Sequence, residues 1–473
     1  MKEREIATNI CKWIQEQGYI SYFCGGCVRD ELLGLSIHDF DIATDMPIEM
    51  LKEEFDTFDA NGEKFGILCI LIDGFKFEIA QFRTDGVYKD GRKPEDVQFG
   101  TPQEDASRRD FTINGIFYDP IKEIYYDYVG GIDDIRNKVL RTIGEPEQRF
   151  NEDHLRILRM VRFASKLGFT IDDKTKRYAT NMAYLLKNIS GERVRDELVK
   201  IMNDTRTTGI ELLKETNILY HILPEVEKLI GCEQPTNWHP EGDVWTHTLM
   251  MLSKRLTVNK LFPFAVLFHD VGKPDKQMFE DNTIKFHKHE IRSADIVKEI
   301  MERLKFPNDD IDYVVCMVSN HMKMFEVYNM STCHRLRFMR EPYFKDLVEL
   351  HRLDSTCSAN IPPEQCDRML EDLNNIPEER IRPKALIDGN DLIKIGLTPG
   401  PLFKRIIEEM EDRQLEEITT TREEALFYIC RINVCMNDKD IFKLVEEMTG
   451  SDKEYIKKCL ENNGYFLQYE WGY

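Results

Sequence analysis

Two aspartates, Asp39 and Asp41, flank one residue in Asp39-Phe-Asp-Ile-Ala-Thr44, and on an extended segment both carboxylates point to one face. Such a pair can hold two hard cations, which lower the pKa of an attacking hydroxyl and stabilise a pyrophosphate leaving an in-line displacement. Alone, an Asp-x-Asp reads as a solvated turn. Eight residues upstream, however, ends Gly25-Gly26-Cys-Val-Arg29-Asp30. Two glycines between a strand expected over 19–23 and a helix expected from about Val28 let backbone N–H groups approach an anion. A triphosphate suits that cradle, and the aspartates suit the metal that accompanies it.

A second pattern is cationic. In Glu152-Asp153-His-Leu-Arg156-Ile-Leu-Arg159-Met-Val-Arg162-Phe163, arginines recur every three residues with apolar residues between them. The spacing predicts a helix with one apolar side and one phosphate-contacting side. Glu152 and Asp153 at its expected start suit the positive helix end and can fix an arginine by hydrogen bonding.

The elements that position these residues change character along the chain. Strand and helix signals alternate to about residue 120, and helical periodicity dominates afterwards. The segments 65–72 and 75–82 flank Asp73-Gly74, a hairpin signal. Ser190 is a candidate N-cap for a helix over Ile189 to Asp196, and Cys232 to Pro240 reads as a linker. At 473 residues, 42% hydrophobic and 32% charged, the chain can bury several cores.

Composition narrows the function classes. No apolar run reaches the roughly 18 residues needed to cross a bilayer, and the start Met-Lys-Glu-Arg-Glu-Ile carries no signal-peptide core, so a cytoplasmic protein is expected. Twelve cysteines in such a chain read as buried or free thiols, and Cys24 and Cys27 are explained by the glycines between them rather than by redox or zinc chemistry. The net charge of −21 opposes RNA binding unless it is localised. Residues 134–214 hold 17 Lys/Arg against 12 Asp/Glu, whereas 364–424 hold 9 against 16, so a basic face can persist on an acidic protein.

The motifs together resemble one family, the class II tRNA nucleotidyltransferases and bacterial poly(A) polymerases. The family's GGxVRDxLLGxxxxDxD appears as Gly25 to Asp41, its RRDFTxN as Arg108 to Asn114, and its EDxLRxLRxxRF as Glu152 to Phe163, in family order. The resemblance implies an α+β chain with a small sheet-centred head followed by mostly helical neck and body. It implies Mg2+ held by Asp39 and Asp41, with Glu78 as a third acidic residue. Nucleotide contacts are implied for Gly25, Gly26, Arg29, Arg109, Asp110, Asn114, Asp153, Arg156, Arg159 and Arg162, with Glu152 orienting Arg156. Asp153 and Arg156 would read the base edge of CTP or ATP without a template, and tRNA would be the partner. Arg83 to Pro94 resembles the flexible loop of enzymes that add the terminal A, and its length argues against CC-only addition. The stretch from Pro383 to Pro401 looks like a tail segment of the family.

Beyond residue 240 a second constellation, His247, His269-Asp270, His289, His321 and Asp354, resembles the HD phosphohydrolases. Imidazoles with carboxylates suit a divalent metal of unspecified identity that activates water on a phosphoester. His247, His269, Asp270 and Asp354 form the principal set, with His289 and His321 as candidates for a second ion. The expected domains are a head over 1–145, a nucleotide-selecting and RNA-binding neck over 146–230, an HD domain over 231–360 and a helical tail over 361–473. CCA addition to tRNA is the expected reaction. A-only or poly(A) synthesis, hydrolysis by the HD domain as the main activity, and noncatalytic RNA binding remain rivals.

Overall fold

Strand β1 (Ser21–Cys24) is buried at every position and runs directly into the glycine pair, after which helix α2 (Gly26–Leu32) begins. It follows helix α1 (Lys2–Glu16), whose Ala7, Ile10, Cys11 and Ile14 are buried along one face. In this computed structural model the described residues are 2–37, 39–59, 66–85, 97–256, 259–358, 364–434 and 438–462. Residues 86–96, most of the loop expected between Arg83 and Pro94, lie outside them.

Among the described residues the head carries a seven-stranded mixed sheet. Its members are β1, β2 (Asp41–Thr44), β3 (Thr57–Asp59), β4 (Ile67–Ile72), β5 (Phe75–Gln81), and the later pair β8 (Ile116–Asp119) and β9 (Ile124–Asp127), ordered β3-β4-β5-β2-β1-β8-β9. A two-stranded ribbon, β6 (Arg83–Asp85) with β7 (Val97–Phe99), stands apart from it. The hairpin of β4 and β5 closes as expected, with Ile72 opposite Phe75 and Asp73 and Gly74 both at positive φ. β2 pairs antiparallel with β1 and parallel with β5, so the residues after the glycine turn, the aspartates and Glu78 come to one sheet region. Tyr22, Cys24, Ala43, Phe82, Ala106 and Phe117 form a core cluster in the head.

Helix α4 (Pro102–Arg108) is opened by a capping box in which Thr101 and Glu104 satisfy each other's backbone N–H groups. Helix α5 (Gly131–Asn137) follows β9, and the neck begins with α6 (Pro146–Glu152) and α7 (Arg156–Leu167). The arginine stripe, Arg156, Arg159 and Arg162, lies on the single helix α7, as its spacing predicts. Asp153 takes an extended conformation between α6 and α7 and closes the first of them, and its carboxylate accepts the N–H of Leu155 just ahead of the second. Helix α8 (Asp173–Met182) precedes α9 (Gly191–Met202), which starts after Ser190 as expected, although the Ser190 hydroxyl makes no capping bond.

The chain divides into two compact units, residues 1–318 and 319–473. The first also contains the helices Val244–Lys254, Phe262–Phe268 and His289–Arg303, and the apolar run before His269 is buried at every position from Phe262 to Phe268. The second is helical among its described residues, with a core that includes Leu392, Ile406, Leu426, Phe427, Phe442 and Ile456. Capping boxes at Asp388 and Thr421 start two of its helices. No described helix is long and apolar enough to cross a membrane.

Candidate nucleotidyl-transfer site

Asp41 and Glu78 are Cα partners on the parallel pair β2 and β5, so their side chains leave the same sheet face side by side. Asp39 lies two residues before Asp41, exposed, just outside the strand. Burial pushes the Asp41 carboxyl up to about 6, and the charges of Glu78 and Asp39 push in the same direction against Arg109. Three carboxylates that repel one another are a donor set short of positive charge, and hard divalent cations supply it.

The glycine turn closes the opposite side. Gly25 has φ 71°, and a Cβ built on it would lie 3.1 Å from Arg109 Nη1 and 3.7 Å from Asp41 Oδ2. The absent side chain is thus what allows the backbone, the Asp41 carboxylate and the Arg109 guanidinium to approach one another. Cys24 and Cys27 are free buried thiols; burial raises Cys24 to about 11, which leaves little thiolate at neutral pH.

A cavity of about 550 Å3 opens there, lined by Gly25, Gly26, Arg29, Asp41, Glu78, Arg109, Asp110, Asn114, Asp153, Arg156, Arg159 and Arg162, among others. Its wall is held by paired charges. Arg29 donates from Nη1 to Asn114 Oδ1 at 2.7 Å, and Asn114 Nδ2 donates to Asp110 Oδ1 at 3.0 Å. Arg159 Nε donates to Asp110 Oδ2 at 2.7 Å. Burial alone would raise the Asp110 carboxyl, but Arg159 and Asn114 outweigh it and hold it down at about 2, so Asp110 is an ionised acceptor. Arg29, Arg159 and Arg162 gather around the Phe163 ring at 5.1, 5.3 and 4.0 Å from its centroid.

The helix break supplies the other end. Arg156 Nη1 donates to Glu152 Oε2 at 2.7 Å and to the Arg149 carbonyl at 3.0 Å, and its Nη2 donates to the Arg108 carbonyl at 2.9 Å. Asp153 meets Arg193 of α9, whose Nη2 lies 3.0 Å from both carboxylate oxygens. Arg193 was not among the sequence candidates, nor was Glu197, which takes Arg162 Nε at 2.6 Å. Both sit one turn apart in α9, a pattern that reads from sequence as an ordinary solvated helix face.

Four members of the second constellation, His247, His269, Asp270 and His289, lie in the first unit. His247 is fully buried on the helix Val244–Lys254, which is capped by Asp243. The stretch read as a linker packs against it through His239, whose ring lies edge-on to His247 at 5.0 Å between centroids, and just past that stretch Glu241 Oε1 lies 2.7 Å from His247 Nδ1 and 2.8 Å from His239 Nδ1; Cys232 and Gln234 are buried. An acceptor-only carboxylate fixes the proton on each Nδ1 and leaves each Nε2 with its lone pair. His269 and His289 likewise place Nδ1 against a backbone carbonyl, of Val266 at 2.8 Å and Phe286 at 2.9 Å. Their Nε2 atoms face Asp270 at 3.1 and 3.0 Å. Two neutral rings so fixed would turn lone pairs toward a carboxylate, an arrangement that calls for an imidazolium or a cation among them. Lys273 joins Asp270 at 2.7 Å and Gln234 at 2.6 Å. A Cβ on Gly272 would strike Ser293 N at 2.5 Å, so a glycine is needed where the helix His289–Arg303 packs. His321 and Asp354 belong to the second unit, His321 at the head of a 3-10 segment and Asp354 on the helix Phe344–Cys357.

Comparison with known proteins places the chain. The family described as Poly A polymerase head domain matches residues 21–141, the RNA-binding region of polymerase A matches 168–230, and the HD domain matches 244–355. A CCA-adding enzyme of Enterococcus faecalis is 39% identical over 423 residues, covering 89% of this chain and 94% of that protein. Against CCA-adding enzymes of Bacillus pumilus, Lactobacillus helveticus and Lactobacillus delbrueckii, at 41–42% identity, the alignments are shorter and the chain spans about half the length of those relatives. The Bacillus stearothermophilus CCA-adding enzyme solved with CTP superposes with a TM-score of 0.68 at 23% identity, covering 96% of this chain and 98% of that one. The Thermotoga maritima CCA-adding enzyme solved with tRNA gives 0.56 at 19% identity, covering 90% and 94%. The α+β fold expected from sequence is the fold these structures share.

Proposed function

This chain belongs to the family of CCA-adding enzymes, and from that premise we propose that it adds CCA, without a template, to the 3′ end of tRNA from CTP and ATP. The observation that carries this reading is the single cavity in which the glycine turn, the Asp41–Glu78 pair and the Arg156–Asp153 end converge.

Asp39, Asp41 and Glu78 would hold Mg2+, which supplies charge to activate the tRNA hydroxyl and to neutralise the departing pyrophosphate. The Gly25–Gly26 backbone, Arg29 and Arg109 receive the triphosphate and set the α-phosphorus for in-line attack. Asp110, kept ionised by Arg159, accepts a hydrogen bond from the ribose. Arg156, held flat by Glu152 and two carbonyls, offers its remaining donor edge to the base, and Asp153 offers acceptors. Arg162 completes the cationic wall. The basic neck over 146–230 carries the tRNA backbone, between a head over 1–145 and the HD region and tail over 231–360 and 361–473, in the cytoplasm.

The test offers the full chain tRNAs ending before CCA, after C and after CC, with labelled CTP or ATP and Mg2+, and sizes the products. Completion of CCA on all three is expected. A single AMP added to the CC-ended tRNA with CTP refused establishes A-only addition, and long A tracts establish poly(A) synthesis.

A second activity is favoured by the imidazoles of His269 and His289 around Asp270. His247, His269, Asp270 and Asp354 would bind a divalent metal, with His289 and His321 joining a second ion. Such a centre makes the chain a phosphoesterase on 2′,3′-cyclic or monophosphate ends. His269→Ala should abolish both ring opening of the cyclic end to a monophosphate and release of inorganic phosphate from a monophosphate end, and Asp39→Ala should spare them.

A further inference from the structure

Asp105 is 1% exposed and has no place among the residues that line the nucleotide cavity, yet it contacts two that do. Its Oδ1 accepts from Arg108 Nε at 2.8 Å and Nη2 at 2.6 Å. Its Oδ2 accepts from Arg109 Nε at 3.1 Å and Nη2 at 2.9 Å. The backbone N–H of Arg83, where strand β5 passes into the β6 ribbon, also donates to Oδ1 at 3.3 Å. One carboxylate therefore holds two consecutive arginines by separate oxygens and ties both to the root of the ribbon.

The sequence allows this because the capping box at Thr101 fixes where α4 begins, which puts Asp105 three and four residues ahead of Arg108 and Arg109 on one helix face. A buried carboxylate is costly unless its charge is met, and here it is met twice, leaving one net positive charge directed at the cavity. The consequence lies at Gly25. Arg109 Nη1 and Asp41 Oδ2 stand on either side of the space where a Cβ would be, at 3.1 and 3.7 Å from it. Without Asp105, Arg109 is left beside Asp41, a carboxylate its charge already acts on and the group needed for metal.

We propose that Asp105 is a positioning residue of the transfer reaction: it aims Arg108 and Arg109 at the nucleotide's triphosphate and keeps Arg109 from pairing with Asp41. The inference rests on the reading of Arg109 as a triphosphate contact. Asp105 touches neither substrate nor metal; it acts through the guanidinium groups, and its effect is confined to the phosphate end of the nucleotide.

Two inhibitors of the full-length enzyme separate the ends of the site: inorganic pyrophosphate, which has no base, and cytidine, which has no phosphate. Inhibition constants do not depend on the folded fraction, so partial misfolding of a variant does not imitate the effect. Asp105→Asn should weaken pyrophosphate by about tenfold or more and leave cytidine within about twofold, and should raise the Mg2+ concentration needed for half-maximal rate. Asp105→Glu should recover part of the loss. Equal shifts for both inhibitors, or none for pyrophosphate, overturn the proposal. Arg109→Ala is the control for the premise: if pyrophosphate binds this variant as well as the wild type, the triphosphate assignment itself fails.

Discussion

Asp41 and Glu78 stand side by side on a parallel strand pair, and burial, reinforced by the Glu78 charge across that register, pushes the Asp41 carboxyl up to about 6. The sign follows from linkage. Between an ordinary 3.8 and about 6 the native protein holds a proton that the unfolded chain has released, so stability falls as pH rises through that window. The penalty approaches roughly 3 kcal/mol once Asp41 is ionised, before solvent screening reduces it. Melting metal-free protein from pH 4 to 8 should show Asp41→Asn gaining on the wild type as pH rises, with Mg2+ closing the gap. A constant difference across that range would contradict it. In the same variant, nucleotide incorporation should drop by about three orders of magnitude or more.

Asp110 shows the opposite behaviour. Its carboxyl is held at about 2 although burial opposes this, so its pairing stabilises the fold above the usual carboxylate range and is lost only as pH falls through 2. Replacing its partner, Arg159→Met, strands a buried charge and should destabilise the protein by about 3–5 kcal/mol in urea unfolding. Asp110→Ala should instead cut the preference for CTP over dCTP by about tenfold or more, measured as a ratio of kcat/KM, because a ribose acceptor is lost.

Glu152 and Arg156 make the prediction about base choice. Arg156 has three acceptors around it, and Glu152 is the charged one, 2.7 Å away. Glu152→Ala should leave the charge of Arg156 in the cavity but free its plane. Misincorporation of UTP at the first two positions, read by sequencing products, should then rise by about tenfold, as expected for losing one well-oriented bidentate contact. Inhibition by pyrophosphate should be unchanged, and a matching loss there would mean that Glu152 supports the whole cavity rather than the base edge.

The head was legible because its chemistry is local in sequence: the glycines must follow a strand, Asp-x-Asp must face one way, and Asp73-Gly74 must turn a hairpin. Partnerships between distant elements were not legible. Nothing in Gly191 to Met202 announces that Arg193 meets Asp153, forty residues away, since a charged residue on an amphipathic helix has the same signature whether it faces solvent or an ion pair. The start of the arginine helix was legible, because Glu152 and Asp153 stand just ahead of it; the separate short helix Pro146–Glu152 before it was not, since its seven residues hold only one buried aromatic and no apolar repeat. The stretch from Cys232 to Pro240 read as a tether because proline, asparagine and glycine surround it, although Cys232 and Gln234 are buried against the histidine cluster.

Glu241 is acceptor to both His239 and His247, and a carboxylate in that position fixes which nitrogen of His247 carries the proton. If a divalent ion binds at His247, it takes Nε2, and the ring must not turn. Glu241→Ala releases the ring and removes the acceptor that keeps Nε2 unprotonated, so affinity for Mn2+ should fall by about 10–100-fold in equilibrium dialysis of the full chain, the range for losing such an outer partner. Glu241→Gln retains one acceptor oxygen and should lose less. CCA synthesis should be unaffected in both, since the head cavity contains none of these residues. Mn2+ binding unchanged in Glu241→Ala would mean that His247 is held by its helix alone, and that the carboxylate serves packing instead of the metal.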